Sequence, residues 1–408
     1  MLRAHLSQAT WAHSLRYRDF RLLWGSTIVQ SMGMGMEKVS LGWLIFQMTD
    51  SVFMLGVASA ASMVPFFFLG IVSGAVADWA ERRLFIRFLT IGGGFAAGLM
   101  ALVLLTDAAR VWHVMGLAVL SGCIRAFLMT VRQAYTFDIV GPDHALNGLA
   151  LSSVATSLGG IGGALLGGVL ISTLGIGEQY LVVAASYGIA VAILMGTRDV
   201  GQAAVGDRGS VLENLVGYVQ LLRVNRTLMI LMLLTATVEI FGFTHQTLLP
   251  VFARDVLNVG ATGLGVMTAV RQAGGLVGVM VLANLGDFRR KGLLLFVTAT
   301  AFGLGLMAFS VVSHILLFLA LLALVNGCAM SVDTLNRTLM QANVPNEQRG
   351  VAMGSWVLSI GTAPLGHLGV GALGGWLGAP GALLVNGAIL AFLGVSAAVG
   401  LPKIRRLP

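Results

Sequence analysis

Gly74-Ala75-Val76-Ala77-Asp78-Trp79-Ala80-Glu81-Arg82-Arg83 is a short charged break between two long apolar runs. A partial echo, Asp287 followed by Arg289-Arg290-Lys291, lies 209 positions later. Gly167-Gly168 recurs as Gly374-Gly375 after 207 positions, and Pro142-Asp143 recurs as Pro345-Asn346. Landmarks returning at nearly one offset are the mark of a duplicated half. The stretches between such breaks are apolar for 18 residues or more, the length that crosses a bilayer. Composition agrees. The chain has 408 residues, 57% hydrophobic and only 10% charged, where a soluble domain carries about 25% charge. No water-facing surface can be built from so little. About 230 apolar residues at ~20 per span supply about a dozen spans. The 54 glycines fit close helix packing in lipid. The expected fold is an all-α polytopic membrane protein with twelve transmembrane helices in two pseudo-symmetric six-helix bundles.

The expected spans fall near 20–46, 53–77, 84–106, 112–136, 146–174, 179–196, 227–249, 260–285, 292–311, 314–336, 350–376 and 380–401. Residues 1–19 read as a cytoplasmic N-terminal segment, 20–197 and 226–401 as the two bundles, 198–225 as a cytoplasmic linker and 402–408 as a cytoplasmic tail. Within the linker, 211–222 has the pattern of an amphipathic helix lying on the membrane. No small-residue cleavage site follows the apolar part of the start, so it reads as retained rather than as a signal peptide. With a cytoplasmic N-terminus, about twenty of the 25 basic residues fall inside, and the outer loops receive only Arg110 and Arg254. This is the positive-inside asymmetry. It requires an even number of spans and places both termini in the cytoplasm. The net charge of +8 is therefore topogenic and calls for no nucleic acid.

Cys123 and Cys328 stand alone in apolar runs, so neither a disulfide framework nor a structural zinc site is expected. There is no GxxxxGK[ST], HExxH or GxSxG, so no enzyme, cofactor or metal is expected. Charges inside spans carry more information, because each is costly unless paired or facing water. Glu37 and Lys38 lie in run one, Arg125 in run four, Glu239 in run seven and Arg271 in run eight. Glu37 and Lys38 are consecutive and point about 100° apart, so each needs a partner elsewhere. Gln30, Gly33 and Glu37 line up in run one, and Thr235, Glu239, Gly242 and Gln246 form a polar stripe in run seven. These residues read either as a substrate and proton pathway or as permanent ion pairs that hold the helices. Asp333 and Arg337 are spaced as a local helix-end ion pair. His245 and His367 read as packing residues.

The opening break resembles the major facilitator superfamily signature GxLADRxGRR, matched at Gly74, Ala77, Asp78, Arg82 and Arg83. Val76, Trp79 and Glu81 replace its Leu, Arg and Gly. Leu15-Arg16-Tyr17-Arg18-Asp19-Phe20-Arg21-Leu22-Leu23-Trp24 and Trp43-Leu44-Ile45-Phe46-Gln47-Met48-Thr49-Asp50-Ser51 are similar to the branch of enterobactin-exporter-like and macrolide-efflux-like proteins. The resemblance implies that Gly74, Asp78, Arg82 and Arg83, with Asp287 and Arg290 in the weaker second copy, latch the two halves in one conformation. The alternative is that the arginines are topogenic only. Gly159, Gly163, Gly167 and Gly168 resemble the glycine-rich antiporter motif of efflux members, with Ala164 where Pro is usual. Ordinary small-residue packing would give the same pattern.

The expected function is a secondary transporter of a bacterial-type inner membrane. It would export a small amphipathic compound (a drug, macrolide or siderophore) in exchange for protons, and work as a monomer. An importer or lipid-handling facilitator of the same fold is the nearest rival, and a non-transporting membrane scaffold or sensor the more distant one.

Overall fold

A computed structural model describes residues 10–79, 81–199, 225–286, 288–345 and 349–407, and the side chains of all of these except 10–12, 67, 70–79 and 349–351. The linker helix expected at 211–222 lies outside the described residues.

Every element among them is helical. After a 3-10 turn at Thr10–Arg16 come α1 (Arg18–Thr49), α2 (Val52–Trp79), α3 (Arg82–Leu105), α4 (Val111–Val140), α5 (Ala145–Thr173) and α6 (Ile176–Met195). The second half holds α7 (Arg226–Val256, two α segments each followed by a π turn), α8 (Gly260–Asn284), α9 (Lys291–Ser310), α10 (Ile315–Ala342), α11 (Arg349–Ile360) and α12 (Ala363–Gly400). A last turn, α13, covers Pro402–Arg405. Each expected apolar run is thus helical. Nine helices among the described residues are long and apolar enough to cross a membrane, one of them the 49-residue stretch Ala352–Gly400.

Breaks sit where the backbone demands them. Gly141 ends α4 at φ 74°, with Pro142 opening the next turn, a pairing of permissive glycine and preset proline. Gly378 interrupts α12 at φ 73°, two residues before Pro380. That left-handed residue separates what the sequence reads as runs eleven and twelve.

Two compact units emerge. The first comprises Met1–Leu41 and Phe68–Asp207; the second comprises Gly42–Phe67 and Arg208–Pro408. In the first, glycines of α5 are set against the backbone of α1. A Cβ on Gly159 would strike the Ile28 carbonyl, one on Gly163 the Met32 carbonyl, and one on Gly167 would lie 2.9 Å from Met36 Cα. Gly35 returns the contact, since a Cβ there would lie 2.6 Å from the Gly160 carbonyl oxygen. Both helices thus offer a row spaced by four residues, the geometry of small-residue packing in lipid. The second unit repeats the device. Gly366 of α12 would place its Cβ 2.6 Å from Ile240 Cα of α7. Its core adds a cluster of rings, Phe252, Phe302, Phe309 and Phe318, with His245 edge-on to Phe302 and Phe309.

Candidate functional site

One end of the first unit is held by arginines. Arg82 Nη1 donates to both oxygens of Asp138 on α4, at 2.6 and 2.7 Å. Asp138 is a partner of Arg82 that the sequence does not announce. The side chains of Gly74 and Asp78 lie outside the described residues, as does Asp287. Arg83 pairs with Glu81 at 2.8 Å and donates to the Arg198 carbonyl at 2.9 Å. Arg87 donates to the carbonyls of Leu194 and Thr197 at 2.9 and 3.0 Å. Arg83 and Arg87 therefore bind the segment that ends α6, where cations meet the negative end of the helix dipole. Arg290 is exposed at the N-terminal edge of α9.

Deeper in the first unit the polar residues of α1 meet α4. Ser121 Oγ donates to Glu37. Gln30 donates to Thr90 Oγ1 of α3 at 3.2 Å and accepts from Arg132 Nη2. Arg125 acts on Glu37 electrostatically without an ion pair. Lys38 is exposed while Glu37 is half-buried, so the two diverge as their spacing requires. Arg132 is the functional candidate the sequence reading missed. The expected run four stopped at 136, which put Arg132 at its rim; α4 continues to Val140, which carries Arg132 two turns inside. Its Nε is buried and has no hydrogen-bond partner.

In the second unit Glu239 is buried, in the π turn Glu239–Phe243 of α7. Among the described residues it has neither a hydrogen bond nor an ion pair, and Asp333 is the charge it senses. The expected polar stripe through Thr235, Glu239, Gly242 and Gln246 is not a single water-facing line. A π turn closes over one more residue than an α turn, so positions beyond it fall out of phase. Gly242 instead packs on Phe302 of α9, where a Cβ would come within 2.5 Å, and Gln246 is half-buried beyond the turn. Such insertions recur at functional sites. Arg271 is half-buried on α8, its Nε buried and unpartnered.

Asp333 and Arg337 do not pair with each other. Trp356 touches both, donating from Nε1 to Asp333 at 2.9 Å while the Arg337 guanidinium lies 5.0 Å from its ring centre. The i, i+4 spacing placed them on one face but could not reveal a tryptophan from another helix. Both histidines are buried and hydrogen-bonded. His245 Nδ1 is 2.7 Å from the Gly242 carbonyl, and His367 Nδ1 is 2.7 Å from Thr247 Oγ1. Among the described residues no cluster of His, Cys, Asp or Glu has the makings of a metal site.

Known proteins resemble this chain along most of its length. Two curated relatives are the enterobactin exporter EntS of Citrobacter koseri, 25% identical over 86% of this chain and 85% of its own, and the staphyloferrin A transporter of Staphylococcus aureus, 23% identical over 85% and 87%. Solved structures with the same fold include the nucleoside transporter NupG, at TM-score 0.74 and 16% identity over 96% of this chain and 100% of that one. A bacterial homologue of the human lysosomal transporter Spinster, inward-facing and occupied, matches at TM-score 0.74 and 15% identity over 96% and 99%. The family described as transmembrane secretion effector matches residues 8–406. The chain therefore belongs to the transmembrane secretion effector family of the major facilitator superfamily, and is a membrane transporter and not an enzyme.

Proposed function

We propose that the chain is a secondary active exporter that moves a small amphipathic compound of the siderophore class outward by alternating access, in exchange for protons. The observation that carries the coupling is Glu239. A carboxylate inside a membrane is costly unless paired or facing water, and this one is buried with no cation bound to it among the described residues. A proton is the partner that removes its charge, so Glu239 is assigned the proton-carrying step. Glu37, held by Ser121 and close to Arg125, is assigned to the binding region instead. The names of the two curated relatives support a siderophore-class cargo, and one of them supports export.

In this reading α1 and α2 are also spans, and Gly378 divides Ala352–Gly400 into two, which raises the nine apolar helices to twelve crossings. Both termini then lie in the cytoplasm of a bacterial-type inner membrane, and one chain is the working unit. Inside-out vesicles containing the purified chain test the reading, with enterobactin and staphyloferrin A as probes. An acidic lumen should drive accumulation of at least one probe above its outside concentration, and a protonophore should abolish it. Entry that ignores the gradient would remove the proton coupling. Entry of neither probe would remove the siderophore class.

A further inference from the structure

We propose that Arg125 and Arg132 of α4 form a subsite for a carboxylate-bearing organic anion; this rests on the transport reading above and narrows its substrate class. The two arginines are seven residues apart, two helical turns, so they share a face with about 10 Å of rise between them. Their donors are largely uncommitted. Arg132 spends Nη2 on Gln30, while its Nε is buried without an acceptor. Arg125 has no hydrogen bond or ion pair among the described residues. A guanidinium carries five N–H donors and no acceptor, so both arginines keep donors to offer a ligand.

The charge balance points the same way. Among the described residues one carboxylate, Glu37, lies within electrostatic reach of Arg125, and Ser121 already occupies one of its oxygens. Tyr187 of α6 completes the group, within the electrostatic reach of Glu37, Arg125 and Arg132. Its ring is fixed between two glycines. A Cβ on Gly33 of α1 would come within 3.3 Å of the ring, and one on Gly93 of α3 within 2.7 Å. A surplus positive charge among membrane helices is costly until an anion arrives. The planar fork of arginine matches a carboxylate in geometry as well as charge. Two forks about two turns apart suit a ligand with more than one carboxylate. Glu37 competes with that ligand for Arg125, so the sign of its effect is fixed: losing the Glu37 charge should tighten anion binding.

The test is equilibrium binding to the purified full chain in lipid nanodiscs, with citrate as the anionic probe and tetraphenylphosphonium as the cationic one. Citrate should bind, and Arg125→Gln and Arg132→Gln should each weaken it at least tenfold. Glu37→Gln should tighten it several-fold, and none of the arginine variants should weaken the cation. Arg132→Lys keeps a charge and a donor for Gln30 and should fall between wild type and Arg132→Gln, which covers the case in which the glutamine variant does not fold. Unchanged citrate affinity in Arg125→Gln and Arg132→Lys would overturn the subsite. Parallel loss of both probes in Arg125→Gln would also overturn it and assign Arg125 to structure. Proton-driven flux without citrate binding sinks the anion subsite and leaves the transport reading standing. Citrate binding without proton-driven flux does the reverse.

Discussion

At Gly163 a methyl group would meet the carbonyl oxygen of Met32, whereas at its neighbour Gly162 nothing lies within 4 Å of the same position. One residue apart, the two glycines should therefore respond oppositely to one substitution. Gly163→Ala should lower thermal stability by about 1–3 kcal/mol, the usual cost of overpacking, because backbone cannot rotate away as a side chain does. Gly162→Ala should raise the melting temperature of the purified protein slightly, because alanine is the better helix former and meets no neighbour there. Equal behaviour of the two would remove the glycine contact from the account. The row Gly159, Gly163, Gly167 was legible in the sequence because spacing alone marks a helix face. Its partner row, Ile28, Met32 and Met36, was not, since nothing in an apolar run announces which neighbour it meets. Ala164, standing where the resemblance would place a proline, is fully buried within an uninterrupted α5. Arg132 was missed for a different reason: a charge near the end of an apolar run looks interfacial until the helix is seen to continue.

At the scale of elements, the ends of helices required side chains that the sequence offered without labelling. Arg87 of α3 donates to Leu194, Met195 and Thr197, closing the C-terminus of α6. Arg87→Ala should cost about 1–3 kcal/mol, the price of orphaned carbonyls around a lost charged donor. It should also raise hydrogen exchange selectively at 193–199. Arg87→Lys should recover the helix-dipole part and leave the exchange partly raised. Exchange unaltered in Arg87→Ala would return the arginine to a purely topogenic role. Helix positions were readable from apolar run length, to within a few residues at most ends. The π turns of α7 were not readable. An extra residue in one turn leaves hydropathy unaltered while shifting every later side chain around the axis. Gly242, expected on the path, is the seat of Phe302.

Over the whole molecule, the landmarks that recur in the sequence have a parallel in the packing within each unit. Gly159 against Ile28 in the first unit has its counterpart in Gly366 against Ile240 in the second. Lysine and arginine placement is the basis of the proposed orientation, because positive charge resists translocation. In a chain with Cys123 and Cys328 replaced by serine, Asp50→Cys, Asp107→Cys and Glu178→Cys should react with an impermeant maleimide in intact cells. Arg83→Cys, Asp207→Cys and Arg290→Cys should react only after permeabilisation. A single loop on the wrong side would break the twelve-crossing topology. Glu239 was legible as a charge in an apolar run; that it sits in a π turn without a cation was not. Its assignment as the proton carrier is tested most directly by Glu239→Gln, which keeps the size of the side chain and removes its titration. In inside-out vesicles this variant should still exchange labelled for unlabelled siderophore, yet fail to accumulate it when the lumen is acidic. Accumulation at the wild-type level in Glu239→Gln would contradict the account.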